Sequence, residues 1–165
     1  MREKLFCISA ICIFVILNGL IVQKEVQIRN NEVVFFELAP RDPRSIMQGD
    51  YMVLNYELQR QFGNRSKDMG DSGVAVLTLD DKKIATLTRH HKGEKLAPNE
   101  RLLKYRSKMR SRRGRKHYLF ASESFMFQEG KRPIFDQAKY GAFALSSSGK
   151  NILLYLADEN LKKLE

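Results

Sequence analysis

Four sets of side chains in this 165-residue sequence are of types that do chemistry. Ser45 is a hydroxyl in a polar turn after Pro43, and a serine becomes a nucleophile only when an activating base stands within hydrogen-bond reach. His90, His91 and His117, with Asp80 and Asp81, are of metal-ligand type. Neighbours on a strand face opposite ways, so His90 and His91 cannot both aim at one ion unless the strand has ended. Asp50 is a carboxylate beside Gly49, just before an alternating run, where its simplest task is to accept from backbone amides. Last come Arg101, Lys104, Arg106, Lys108, Arg110, Arg112, Arg113, Arg115 and Lys116, nine cations with no acid between them.

The first three sets read as a turn serine, loop histidines and a structural cap, so neither an enzyme, a metal site nor a cofactor is expected. The cations carry the stronger functional idea. Of a formal net charge of +10, nine charges fall in residues 101–116 and only one remains for the rest, so the basic character is local. Interleaved with Tyr105 and Met109, such a segment can bind phosphates, and its polyanion-binding candidates are Arg106, Lys108, Arg110, Arg112, Arg113, Arg115 and Lys116. The plain alternative is a solvated, mobile loop.

The elements that must position these groups begin with an apolar run. Residues 5–22 are 18 residues without a charge, which as a helix reach about 27 Å, near the lower limit for crossing a bilayer. A cleaved leader usually has a shorter apolar region and an A-x-A-like site, which residues 17–21 lack. Arg2, Lys4 and the amino terminus precede the run against Glu3 alone, whereas Lys24 and Arg29 after it are diluted by Glu25 and Glu32. That bias places residues 1–4 in the cytoplasm, residues 5–22 in the lipid bilayer as an anchor, and residues 23–157 outside the cytoplasm, followed by a charged tail at 158–165. On that side of the membrane nucleic acid is not an expected partner, which leaves anionic lipid or an envelope polymer. Cys7 and Cys12 both lie in the apolar run, point in different directions on a helix and form no bridge, so the folded part has no disulfide scaffold.

Residues 41–56 are a turn running into a strand. Pro43 disfavours helix at Asp42, Gly49 accepts positive φ, and beyond it the side chains alternate. Met52, Leu54, Tyr56 and Leu58 share a core face, and Tyr51, Val53, Asn55 and Glu57 share the other. Residues 49–56 read G-D-Y-M-V-L-N-Y, and with Asp42, Pro43 and Arg44 they resemble the signature of the GDYXXLXY family of bacterial membrane-anchored proteins. Residues 125–130, F-M-F-Q-E-G, and 138–141, A-K-Y-G, are similar to two further elements of that family, although Gln128 stands where a proline is common. The resemblance implies an architecture without a mechanism. Asp42, Pro43, Arg44, Gly49, Asp50, Tyr51, Leu54 and Tyr56 become structural or interaction residues, a polytopic membrane protein a partner, and the bacterial cytoplasmic membrane the location. A second, distant likeness sets Ser45 and the Gly49-Asp50 pair beside signal peptidases, implying a membrane-anchored serine hydrolase as an alternative. The order and spacing depart from that family, and no later lysine strand stands out.

From Val26 onward the signals are for strands, the first at residues 33–38. Residues 59–73 read as a surface loop, and residues 74–79 and 84–88 as a hairpin around Asp80. Residues 117–121 predict a strand, 133–140 one or two helical turns after Pro133, 142–145 and 152–156 a second hairpin, and 158–165 a helical tail. The fold class is mostly β: an N-terminal transmembrane helix, then one small antiparallel β domain, barrel-like or sandwich, with one or two short helices.

Overall fold

The computed structural model describes residues 2–39, 51–109 and 116–165, with the side chains of 2–9, 27, 30 and 109 outside that description. The chain forms two compact units, Met1–Asn31 and Glu32–Glu165. The first is helix α1, Arg2–Asn30, which continues past the apolar run through a polar last stretch where Arg29 Nε donates to Glu25 at 2.8 Å. Strand formation therefore starts at Glu32, later than the β-type residues from Val26 suggest. From Ala10 to Val26 every side chain of α1 is exposed, and the apolar residues lie all around the helix rather than on one stripe. Among the described residues no helix is long and apolar enough to cross a membrane. The described side chains of the 5–22 run begin at Ala10.

The second unit is antiparallel β. Strand β1 (Glu32–Glu37) pairs with β8 (Tyr140–Leu145), which pairs with β9 (Asn151–Ala157). Four strands form a second sheet in the order β4 (Ala85–His90), β3 (Ser72–Leu79), β5 (Glu100–Met109) and β6 (Lys116–Leu119). A two-stranded ribbon joins β2 (Tyr51–Val53) to β7 (Ser124–Met126). Helices α2 (Glu57–Asn64) and α3 (Arg132–Phe135) complete the unit.

The sheets curl toward each other as a half-barrel. On one side Phe35 N donates to Lys83 O at 2.9 Å, linking β1 to the β3–β4 turn. On the other, Asn151 Nδ2 donates to Phe120 O at 2.6 Å and Lys104 N to Gly149 O at 2.8 Å, joining the β8–β9 hairpin to the four-stranded sheet. Of the two architectures the sequence allows, these links favour the barrel-like one. Phe36 stacks on Phe143 with ring centroids 4.5 Å apart, and Phe62 of α2 stacks on Tyr118 at 5.0 Å and on Phe120 at 5.3 Å, all in one continuous core. Each such ring taken fully out of water contributes about 1.5–3 kcal/mol.

Several expectations need correction. Residues 59–73 are not a loop throughout: α2 occupies the first part, with Leu58 and Phe62 on one face at i, i+4 spacing and both buried. The motif strand is short, ending at Val53, although the inward sequence Met52, Leu54, Tyr56, Leu58 survives into the helix with all four buried. The basic run is not a mobile loop where it is described, because Arg101 to Lys108 lie in β5. The helix after Lys131 ends at Phe135, and the tail is a turn, in which Asp158 Oδ1 accepts from Asn160 N and Lys162 N at 2.9 Å each. The two expected hairpins form around Asp80 and Gly149, as β3–β4 and β8–β9.

Candidate functional site

Three separated stretches converge at one end of the β unit. Tyr51, Met52 and Val53 pair with Met126, Phe125 and Ser124, so the described part of the 49–56 signature lies beside the start of the 125–130 one. The end of β1 joins the third: Phe36 pairs with Gly141 and Glu37 with Tyr140, Leu38 N donates to Lys139 O at 2.8 Å, and Ala39 N donates to Asn55 O at 2.9 Å. A Cβ on Gly141 would stand 2.9 Å from the Phe143 ring, so that glycine gives the Phe36–Phe143 stack its room.

Alternation divides the signature strand between two tasks. Leu54 and Tyr56 are buried at 4% and 3% exposure, and the Tyr56 ring sits among Phe36, Phe120 and Phe143 at centroid distances of 5.6–6.3 Å. Its hydroxyl donates to Ser122 O at 2.6 Å. Burial pushes this phenol far above its ordinary range, and the Glu123 charge adds to the shift, so it is a permanent donor. Tyr51 and Val53 face outward at 42% and 41% exposure, and Met126, directly across from Tyr51, is 79% exposed. These three make an apolar patch on the ribbon's outer face. Met126 escaped the sequence reading, although its place between Phe125 and Phe127, both packed on Phe135 at 5.1 Å, marks it as the outward residue of an alternating triplet.

Two grooves flank the strand. One, of about 370 Å³, lies between Leu38, Met52 and Ala138; the other, of about 390 Å³, between Asn55, Lys108, His117 and Glu123. In the second, His117 Nε2 lies 2.7 Å from Glu123 Oε1 and 3.3 Å from Gln59 Nε2, which ties α2 to β6. The other histidines are elsewhere. His90 Nδ1 is 3.0 Å from the Tyr105 hydroxyl over Gly73, where a Cβ would meet the His90 ring at 2.7 Å, and His91 N donates to Val74 O at 2.9 Å. Among the described residues no three His, Cys, Asp or Glu side chains gather to hold a metal ion.

The basic segment divides by partner. Arg101 Nε donates to Glu32 Oε2 at 2.6 Å, and Lys116 Nζ stands 2.8 Å from Asp71 Oδ1. The Lys116 contact, with Ser107 behind it, holds the Asp71 carboxyl below its ordinary range. Lys104, Arg106 and Lys108 are exposed and alternate with buried Leu103 and Tyr105. Asp42, Pro43, Arg44, Ser45, Gly49 and Asp50 lie outside the described residues, as do Arg110, Arg112, Arg113 and Arg115.

Fold and site together define a class: a small antiparallel half-barrel in which a short signature ribbon supplies core residues from one face and an apolar patch from the other. The chain belongs to the family described as GDYXXLXY protein, whose model matches residues 13–156 and so reaches from the apolar run to β9. Among curated proteins and among solved structures, none matches the chain.

Proposed function

We propose that the protein is a non-enzymatic accessory module, held at the bacterial cytoplasmic membrane by residues 5–22, whose β unit lies outside the cytoplasm and docks on a polytopic membrane protein. The observation that carries the docking is the outward patch of Tyr51, Val53 and Met126, because an exposed apolar cluster built from two signature segments has no use in the core. Among the described titratable groups near it, Tyr56 and the His117–Glu123 pair support the same reading, because they hold elements together. For the anchor, the support is 18 uncharged residues and a helix apolar all round, which suits lipid better than a single packed face.

Co-purification from cells at native expression, after mild detergent extraction, tests the proposal. Wild-type chain is expected with a membrane protein in stoichiometric amount, and Val53→Asn with Met126→Ser is expected to lose that protein while keeping its melting temperature. Wild-type protein recovered alone and monomeric overturns the docking. A mature chain that starts beyond Val22 overturns the anchor.

A further inference from the structure

Lys104, Arg106 and Lys108 differ from the cations around them. Arg101 and Lys116, on the same pair of strands, are neutralised by Glu32 and Asp71, whereas none of these three forms an ion pair among the described residues. They occupy alternate positions of the second half of β5, after Glu100 and Leu102 on the same alternation, and are exposed, so their Cα atoms follow one line at about 6.8 Å intervals. Nothing about folding calls for that row. Leu103 and Tyr105 between them supply the buried contacts, and three like charges in a line repel one another. Their neighbours across the strands are Val74 for Lys104, Ser72 and Leu119 for Arg106, and His117 for Lys108, none of them a carboxylate, and Glu123, which lines the groove beside Lys108, lies against His117.

We propose that this row binds the phosphates of an anionic phospholipid surface. The inference rests on the membrane anchor of the preceding reading, which brings a bilayer within reach and favours lipid over a soluble phosphate polymer. Exposed lysine and arginine at such a surface gain affinity without a shaped pocket, by charge and counterion release. Each adds about fivefold, and the gain fades beyond a Debye length of about 10 Å in ordinary salt. The row orients the β unit: β5 faces the headgroups, and Glu32 and Asp71 keep the flanking cations out of the contact.

The test follows amine labelling of single lysines in the full chain, read by mass spectrometry, with neutral phosphatidylcholine vesicles and with vesicles containing phosphatidylglycerol. Labelling of Lys104 and Lys108 is expected to slow about fivefold on the anionic vesicles in low salt and to recover in high salt, while Lys82 and Lys162, exposed elsewhere, do not change. Equal slowing at all four, or none, overturns the proposal. Slowing by soluble polyphosphate but not by anionic vesicles overturns it in favour of a polymer ligand. Flotation of the same chain with neutral vesicles in high salt reports the anchor separately, so the two readings fail independently. As a second measure, Lys104→Gln with Lys108→Gln is expected to weaken the low-salt gain in binding that phosphatidylglycerol gives over neutral vesicles, and Lys82→Gln with Lys162→Gln, an equal loss of charge, is expected to leave that gain unchanged. Equal weakening by both pairs reduces the effect to net charge and overturns the row.

Discussion

The Tyr56 hydroxyl donates to the carbonyl of Ser122 at 2.6 Å, closing a separation of 66 residues. The bond fixes the end of one signature segment to the chain just before β7, and Leu54 N repeats the tie by donating to Glu123 O at 2.9 Å. Tyr56→Phe keeps the ring among Phe36, Phe120 and Phe143 and removes only the donor. Its expected cost is about 1 kcal/mol, against about 3–5 kcal/mol for Tyr56→Ala, which also empties the ring's place. Urea denaturation of both variants measures the difference, and a Phe variant as stable as the parent removes the hydroxyl from the account.

Gly149 combines two demands that an L side chain cannot meet together. Its φ is +81°, and a Cβ would stand 3.0 Å from Lys104 N, whose hydrogen goes to the Gly149 carbonyl. Gly93 has φ +96° with open space around it. Gly93→Ala is therefore expected to cost only the left-handed conformation, about 1–2 kcal/mol. Gly149→Ala must also push the hairpin away from β5 and is expected to lower the melting temperature further. Equal effects in thermal melts mean that the hairpin gives way freely.

Acid stability reports on Arg89, which pairs with Glu100 and, at 3.7 Å, with Glu94. Glu100 is held at about 2, first by the hydrogen bonds from Arg89, then by Ala97 N at 2.9 Å, against the opposing pull of desolvation. A carboxyl depressed in the folded state stabilises fully above its unfolded value of 4.5 and ceases to do so as pH falls through its folded value of about 2. Arg89→Gln is expected to melt below the parent at neutral pH, with the gap narrowing between about pH 4.5 and pH 2. Melting curves across that range check it, and a gap independent of pH assigns the effect to lost packing.

What the residues announced was whatever local chemistry decides. The β3–β4 hairpin is legible because Asp80 Oδ1 accepts from Lys82 N and Ile84 N within its own turn, and the β8–β9 hairpin because Gly149 takes positive φ. Inward residues of the signature strand are legible from period two, even where the strand gives way to helix. The pairing of Tyr51 with Met126 is different, since nothing near either residue encodes a partner so distant in sequence. In β5 the strand pattern is present in Lys104, Tyr105, Arg106, Ser107 and Lys108, but dense charge disguises it as loop. α2 was hidden for a third reason: its preceding residue, Tyr56, makes no side-chain cap, and it holds only two buried residues.

That helix is also where a small change has a large effect. Phe62 is fully buried against Tyr105, Tyr118 and Phe120, while Gln61 beside it turns its Oε1 to accept from Leu87 N on β4 at 2.8 Å. With Gln59 reaching His117 on β6, α2 bridges the two outer strands of the four-stranded sheet. Phe62→Ala is expected to cost about 3–5 kcal/mol. Gln61→Leu keeps the helix and strands one amide, for about 1–3 kcal/mol. Amide hydrogen exchange separates the two: Leu87 should exchange faster in Gln61→Leu with β3 unchanged, whereas Phe62→Ala should speed exchange across β3, β5 and β6 together. If Leu87 alone responds to Phe62→Ala, the helix is an ornament on the sheet and not part of what holds it closed.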